Sequence, residues 1–317
     1  MKILHDYREF PPSSRSSVTI GNFDGLHLGH RRILQEMTAM ANASGTCSAL
    51  VTFSPHPLEV LHPAKAPKLI LDPKEKIERI RALGVDYVLI LKFDRELSLL
   101  SGEDFIREIL VKSLRVRHVF VGRNFVFGHK RTGNVALLEA LGQECDYEVN
   151  VISPVEVRGA RVSSTWIREL IQSGRISMAN RLLGRFYGLP GRIVHGQGFG
   201  RKFLFPTLNL QPEGSLLPAN GVYVSLACFG GRNFQAVTNI GTRPTVSGTG
   251  LAVETHLLHQ NLETPPDTME VQFLHRLRDE QKFPGIEALR AQISKDVQRA
   301  SRFFRLLERL HQFPLSG

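Results

Sequence analysis

Gly21-Asn22-Phe23-Asp24-Gly25-Leu26-His27-Leu28-Gly29-His30 is the stretch around which the chain is organised. It follows a β-branched run at 18–20 and precedes a segment whose apolar residues recur at helical spacing, so the layout is strand, glycine-rich turn and helix. Such a turn directs backbone N–H groups and the positive end of a helix dipole toward one point, which suits a phosphate. His27 and His30 are three residues apart, so both side chains could reach one anion. Ordinary tight turns also contain glycine, and the paired histidines are what favour phosphate binding.

The size and charge of the chain restrict its class. Its 317 residues suffice for two hydrophobic cores, and 42% hydrophobic with 22% charged residues is a typical globular composition. The net charge of +10 favours anionic partners, but it is dispersed and contains no block of five or six Lys and Arg residues, so we expect no nucleic-acid partner. Cys47, Cys145 and Cys228 are far apart, which indicates neither a disulfide framework nor a zinc site. Because the sequence shows no leader-like or membrane-spanning segment, we expect a cytoplasmic protein without a membrane partner.

Strand-like and helix-like segments alternate from the opening motif to about residue 183. Strands are predicted at 18–20, 47–53, 85–93, 118–121 and 148–152. Helices are predicted from about His30 to a stop at Gly45, over 73–83, after a cap formed by Ser101 with Asp104 three residues later, and over 134–141. This alternation is typical of crossover units. It predicts a parallel sheet whose ligands bind at the carboxyl ends of the strands.

Three further motifs of this region carry polar side chains at predicted strand or helix ends. Ser54-Pro55-His56-Pro57 is either a rigid loop that directs His56 toward a ligand or a structural turn. Gly122-Arg123-Asn124-Phe125-Val126-Phe127-Gly128 places a cation and an amide at a strand end, beside aromatic residues that also suit a core. Ser163-Ser164-Thr165-Trp166-Ile167-Arg168 puts hydroxyls at a helix N-terminus, where one of them is explained as an N-cap. With Arg168 one turn later, this motif is a candidate triphosphate clamp.

In order and spacing these four motifs resemble those of the HIGH-type nucleotidyltransferases, in the form found in bacterial FAD synthetases. The resemblance implies a Rossmann-like domain that transfers an adenylyl group from ATP to the phosphate of FMN and releases pyrophosphate. His27 and His30 would be catalytic, and bound phosphates would keep a histidine protonated near neutral pH. Val126 stands where the family commonly has arginine. The implied ATP ligands are Gly21, Phe23, Asp24, Gly25, His27, His30, Ser164, Thr165 and Arg168, and the implied flavin ligands are Pro55, His56, Arg123, Asn124 and Phe125.

From about Gly184 onward the sequence becomes rich in short apolar runs separated by glycines. Several short strands at this spacing predict a small barrel or a sandwich. From Pro284 the apolar residues advance by three or four, which predicts a helix packed on the strands. We therefore predict two domains, 1–183 and 184–317.

Three motifs of the second domain suit nucleotide chemistry. Gly196-Gln197-Gly198-Phe199-Gly200-Arg201 is either a phosphate-binding loop or a barrel turn. Thr207 and Asn209 are two residues apart, so an extended strand would present two oxygen ligands for Mg²⁺ on one side. After the turn Asn239-Ile240-Gly241-Thr242-Arg243-Pro244-Thr245, Glu254 and His256 share one face of a predicted strand, where Glu254 is either a solvated carboxylate or a general base.

Together these motifs resemble the riboflavin kinase domain. The resemblance implies a small β-barrel with a terminal helix, in which Glu254 deprotonates the ribityl 5′-hydroxyl of riboflavin and Arg243 contacts the flavin. Thr207 and Asn209 would hold Mg²⁺ with the nucleotide. The implied ATP ligands are Gly196, Gly198, Gly200, Arg201, Thr207 and Asn209, and the positions that depart from the family pattern are Leu204, Leu208 and His259.

We therefore predict an α/β domain followed by a β domain, in a bifunctional enzyme that makes FMN from riboflavin and then FAD from FMN, using ATP and Mg²⁺. One alternative is a single-activity FMN adenylyltransferase whose barrel binds flavin without catalysis. The other is a basic nucleic-acid-binding module, which only the net charge favours. The sequence leaves the oligomeric state open, a homo-oligomer included.

Overall fold

The computed structural model describes residues 1–11, 13–194, 205–214, 216–245, 248–260, 262 and 264–309, with side chains for all of these except 243–245 and 248–251. The chain divides into two compact units, Met1–Ser164 and Thr165–Gly317. The domain boundary predicted between residues 183 and 184 stays a prediction.

The first unit is built on a six-stranded parallel sheet. In chain order, the strands of this unit are β1 (Lys2–Leu4), β2 (Ser16–Ile20), β3 (Cys47–Ser54), β4 (Tyr87–Lys92), β5 (Val116–Gly122), β6 (Val126–Phe127), β7 (Gly133–Asn134), β8 (Glu148–Ile152), β9 (Glu156–Val157) and β10 (Ala160–Arg161). The short strands β6 and β7 pair with each other, as do β9 and β10, outside the large sheet. The large sheet has the order β1-β4-β3-β2-β5-β8, and every neighbouring pair is parallel. The predicted parallel sheet is thus confirmed. The three-residue edge strand β1 was not predicted, because three residues are too few to show an alternation.

The strand order reverses at β2, because β3 lies on one side of it and β5 on the other. Chain connections leave the two sides in opposite directions at such a point and open a crevice at the carboxyl ends of the strands. All five residues of β2 are buried, as expected for a central strand covered on both faces. The glycine-rich turn that follows β2 therefore lies at the crevice.

Helices cover both faces of the sheet. They are α1 (Leu28–Ser44), α2 (Pro57–Leu61), α3 (Pro73–Arg81), α4 (Arg95–Leu99), α5 (Gly102–Asp104), a π-helix (Phe105–Ser113) and α6 (Val135–Cys145). Gly45 ends α1 with a φ of 65°, a left-handed conformation that favours glycine, which confirms the predicted stop. The predicted helix after Ser101 is present, but most of it is wound as a π-helix. The same apolar face is buried, since Phe105, Ile106 and Ile109 all lie in the core.

The second unit is a closed antiparallel barrel with helices at both ends of its sequence. Its elements are α7 (Ser164–Gln172), α8 (Ile176–Leu183), β11 (Tyr187–Val194), β12 (Leu208–Pro212), β13 (Gly221–Phe229), β14 (Arg232–Thr245), β15 (Gly248–Leu257), β16 (Thr268–Arg278) and α9 (Ile286–Arg309). The barrel order is β11-β12-β15-β14-β13-β16, closed by pairing of β16 with β11. The structure thus decides between the barrel and the sandwich in favour of the barrel.

The terminal helix α9 packs on the barrel through the predicted apolar stripe, with Ala300 and Phe304 fully buried. A buried ion pair accompanies this stripe, because Nε of Arg278 donates to Oδ2 of Asp296 at 2.9 Å. Within the described ranges, no helix combines the length and the apolar composition of a membrane span.

Candidate active sites

His27 and His30 lie together at the start of α1. The backbone N–H of His30 donates to Nδ1 of His27 at 3.2 Å, so His27 is the N-cap of the helix. The two imidazole rings are stacked, with their centroids 3.6 Å apart. Phe23 supports the pair from the core, since its ring centroid is 4.7 Å from that of His30. The predicted proximity of the two histidines is present in the structure.

The environment of His30 favours its neutral form. Burial, followed by the charges of His27 and Lys76, lowers the pKa of His30 well below its ordinary value of 6.5. Among the described residues, Nδ1 of His30 is buried without a hydrogen-bond partner. The expectation of a protonated histidine concerns the state with bound phosphates and stays a prediction. Protonation needs an anion close to the ring.

Asp24 has a structural role in the turn. Its carboxylate is buried and accepts hydrogen bonds from the backbone N–H of Ile70 at 3.0 and 3.1 Å, and from that of Leu71 at 3.3 Å. These contacts tie the turn to a segment 46 residues away. Beside Asp24, Gly25 has a φ of 80° and leaves little room for a side chain against Ile70. The carboxylate thus holds the turn in place, and its predicted contact with ATP stays a prediction.

A cavity of about 290 Å³ opens at the point where the strand order reverses. It brings together residues that are more than a hundred positions apart in the sequence. The hydroxyl of Ser164 donates to the backbone carbonyl of Asp24 at 2.9 Å, which joins the serine motif to the glycine-rich turn. Predicted site residues that line this cavity are Gly21, Phe23, His27, His30, Arg123, Asn124, Phe125 and Ser164.

Pro55 and His56 line a different cavity, of about 390 Å³, on the α3 side of β3. His56 caps α2 through the hydrogen bond from the N–H of Leu58 to its Nδ1, at 3.2 Å. The side-chain amide of Asn22 and Nε2 of His56 form a hydrogen bond of 3.1 Å. The five predicted flavin ligands are therefore divided between two cavities, with Arg123, Asn124 and Phe125 on the side of the histidine pair.

Alternate residues of the glycine-rich turn face the two cavities. Gly21 and Phe23 line the smaller cavity, whereas Asn22 and Asp24 line the larger one. The turn is thus a wall between them. The sequence shows no sign of this division, because it depends on the path of the backbone after β2.

The other two residues of the predicted clamp follow Ser164 in α7. Thr165 is exposed and Arg168 is half-buried, and both are counted with the second compact unit. Their predicted contact with ATP stays a prediction.

In the barrel, three polar residues form a row across neighbouring strands. Glu254 on β15 is paired with Asn209 on β12 and with Asn239 on β14. Directly paired residues of antiparallel strands project from the same face of a sheet, so the three side chains share one face. The neighbouring Thr255 and Thr238 project to the opposite face, where both are fully buried. Glu254 is half-buried, as a general base near solvent would be.

His256 fixes the segment that leads into β12. Its Nδ1 lies 2.9 Å from the carbonyl oxygen of Pro206, and its ring contacts that of Phe205. Thr207 lies next to this segment, just before the strand begins, and lines a cavity of about 50 Å³. Asn209 is not among the residues that line it. Four predicted residues, Gly196, Gly198, Gly200 and Arg201, and the side chain of Arg243 lie outside the described part of the chain, as does Leu204.

The fold and the two sites define a class of protein. In the first unit, a histidine pair lies at the start of the helix that follows the central strand of a parallel sheet, a position suited to hold a nucleoside triphosphate. In the barrel, the carboxylate of Glu254 lies beside the amide of Asn209. The chain is therefore a two-domain, nucleotide-dependent transferase.

Comparison with known proteins gives the family. The family model described as FAD synthetase matches residues 10–166, and that described as riboflavin kinase matches residues 183–304. The bifunctional riboflavin kinase/FMN adenylyltransferase of Escherichia coli K12 is 36% identical, over 93% of this chain and 95% of that protein. The bifunctional riboflavin kinase/FMN adenylyltransferase of Buchnera aphidicola subsp. Schizaphis graminum is 35% identical, over 96% of this chain and 98% of that protein. The chain belongs to the family of bifunctional riboflavin kinase/FMN adenylyltransferases.

A solved structure is similar in fold over most of the chain. It is described as a macrolide-efflux protein from Streptococcus pneumoniae, and it matches with a TM-score of 0.85 and 27% identity, covering 95% of this chain and 98% of that one.

Proposed function

We propose that the two activities of the family are divided between the two units: the barrel phosphorylates riboflavin to FMN, and the parallel-sheet unit converts FMN and ATP into FAD and pyrophosphate. The observation that supports this division most directly is the histidine pair. It lies in one cavity with Ser164, Arg123 and Asn124, at the point where the strand order reverses. The row of Asn209, Glu254 and Asn239 in the barrel is a separate group of side chains, which offers a carboxylate and amides rather than imidazoles.

In the adenylyl transfer, an oxygen of the FMN phosphate attacks the α-phosphorus of ATP. The bond from the α-phosphorus to the bridging oxygen breaks, and pyrophosphate leaves with the bonding electron pair. No nucleophilic side chain takes part, so this chain contributes alignment and charge stabilisation. His30 is well placed for this role, because its unsatisfied Nδ1 becomes a hydrogen-bond partner for phosphate and a bound anion favours its protonated form.

In the kinase reaction, Glu254 accepts the proton of the ribityl 5′-hydroxyl while that oxygen attacks the γ-phosphorus of ATP and ADP leaves. Thr207 and Asn209 supply a hydroxyl and an amide oxygen, the hard oxygen ligands that Mg²⁺ takes together with nucleotide phosphates. Asn209 is paired with Glu254, which supports a role for this one donor beside the proposed base. Mg²⁺, when bound, would neutralise phosphate charge.

The division is tested by incubating the purified protein with ATP, Mg²⁺ and either riboflavin or FMN, and identifying the flavin products by chromatography. Glu254→Gln should lower the formation of FMN from riboflavin by at least about 100-fold, because a general base is lost. It should leave the formation of FAD from supplied FMN unchanged. Loss of both activities in a folded variant would refute the division, and an unchanged kinase rate would remove Glu254 from the reaction.

A further inference from the structure

Lys76 on α3 forms a junction that the reaction steps described above do not use. Its Nζ donates to the backbone carbonyl of Asn22 at 3.2 Å and to the hydroxyl of Thr52 at 3.4 Å. Thr52, at the carboxyl end of β3, donates in turn to the same Asn22 carbonyl at 3.4 Å. One ammonium group thus joins α3, β3 and the glycine-rich turn.

This position is unfavourable for a charge. Burial lowers the pKa of Lys76, and Asp24 opposes that shift only at a distance, since the Asp24 carboxylate is bonded to the N–H groups of Ile70 and Leu71. Within the described ranges, no carboxylate lies at ion-pair distance from Nζ of Lys76. Lys76 is half-buried and lines the larger cavity, and a partly desolvated charge with neutral partners costs free energy that an apolar side chain would avoid. Stability therefore does not explain why an ammonium group is present here.

The location of the bonded carbonyl indicates a functional role. Asn22 lies in the turn that separates the two cavities, and its side chain is bonded to His56 across the larger one. Its neighbours Gly21 and Phe23 face the histidine pair. If the carbonyl of Asn22 moves, the link to His56 moves with it.

We propose that Lys76 is a positioning residue for FMN in the adenylyl transfer, acting through Asn22 to hold His56 in place at the wall between the two cavities. The proposal rests on the proposed function of the first unit and on the predicted contact of Pro55 and His56 with the flavin. Lys76 itself does not touch the reacting atoms. Its positioning effect is on the affinity for FMN, whereas on the histidine pair its charge acts only as the smallest of the three causes that lower the pKa of His30.

The test uses the full chain with Lys76→Met, which keeps the length of the side chain and removes the charge. The matched control is Lys112→Met, because Lys112 is 72% exposed and pairs with Glu108 on its own helix. Initial rates of FAD formation are measured while FMN and ATP are varied in turn. Riboflavin phosphorylation and the melting temperature are measured for each variant.

We expect Lys76→Met to raise the KM for FMN about tenfold or more, with the KM for ATP within about twofold of wild type, as for a lost alignment of one substrate. The kinase rate and the melting temperature should not fall, since a purely structural lysine would lower the melting temperature without changing one KM selectively. An unchanged KM for FMN, or a loss that affects both substrates and comes with a lower melting temperature, would overturn the inference. If the wild-type chain forms no FAD from FMN at all, the proposed function fails instead, which separates the two results.

Discussion

His27 combines two roles that substitutions can separate. It caps α1 by accepting the N–H of His30, and its ring is stacked on that of His30 in the cavity. We expect His27→Ala to lower the free energy of unfolding by about 1 kcal/mol and to lose FAD formation, whereas His27→Asn, which retains a good N-cap, should lose only FAD formation. Chemical denaturation and FAD assays on both variants check this. Equal stability losses in the two variants would contradict the capping role.

The pKa of His30 predicts proton uptake on binding of ATP. In the free chain this pKa lies well below 6.5, so the ring is neutral at pH 7. If phosphates raise the pKa above 7, binding takes up as much as about one proton, and the uptake vanishes once the pH exceeds the pKa of the complex. Calorimetric titration of ATP at pH 7 in two buffers of different ionisation enthalpy measures it, with His30→Gln as the comparison. Heats that do not depend on the buffer in the wild-type chain would contradict the prediction.

At the scale of elements, the contact of α9 with the barrel depends on a buried ion pair. Asp296 is 1% exposed and binds both Arg278 and Gln292. Asp296→Ala would leave the Arg278 guanidinium buried without its partner, so we expect a loss of about 3–5 kcal/mol in the free energy of unfolding. The control is Asp279→Ala, because Asp279 is 83% exposed and its pair with Arg276 should contribute no more than about 1 kcal/mol.

Urea unfolding of both variants, followed by far-UV circular dichroism, measures these changes. Similar losses for the two variants would show that burial of the Arg278–Asp296 pair is not the decisive factor.

The helix after Ser101 shows how tertiary packing changes a local prediction. Ser101 and Asp104 form the expected cap, with the N–H of Asp104 donating to the Ser101 hydroxyl at 3.1 Å. Further along, the N–H of Leu114 bonds to the carbonyl of Ile109, five residues earlier, at 2.9 Å. The apolar spacing predicts which face is buried. It does not predict the wider winding, because π-helical i→i+5 hydrogen bonding is rare and an α-helix is the ordinary expectation for an apolar helical stretch.

At the scale of the whole molecule, the two proposed activities predict complementation. A mixture of Glu254→Gln and His30→Ala should form FAD from riboflavin, since one variant supplies FMN and the other adenylylates it. Each variant alone should fail at its own step, and His30→Ala should accumulate FMN. Chromatography of the flavins over time checks this. A mixture that forms FMN but no FAD, although each variant performs its own half-reaction, would mean that FMN must pass within one chain.

Much of the molecule follows from sequence alone. The alternation of strands and helices predicted the parallel sheet, Gly45 predicted the end of α1, and the spacing of His27 and His30 predicted that their side chains lie together. These features are local, because strand period, capping and turn conformation depend on neighbouring residues. The alternating residues near Glu254 likewise predicted which side chains share a strand face.

The features decided only by tertiary structure all join segments that are distant in the chain. Asp24 binds the N–H groups of Ile70 and Leu71, Lys76 reaches Asn22 and Thr52, and Ser164 reaches the carbonyl of Asp24. A local pattern carries no information about which distant strand or helix will lie beside it. The order of strands around β2 sets those neighbours, and it therefore decided that the turn separates two cavities and that a lysine of α3 holds it.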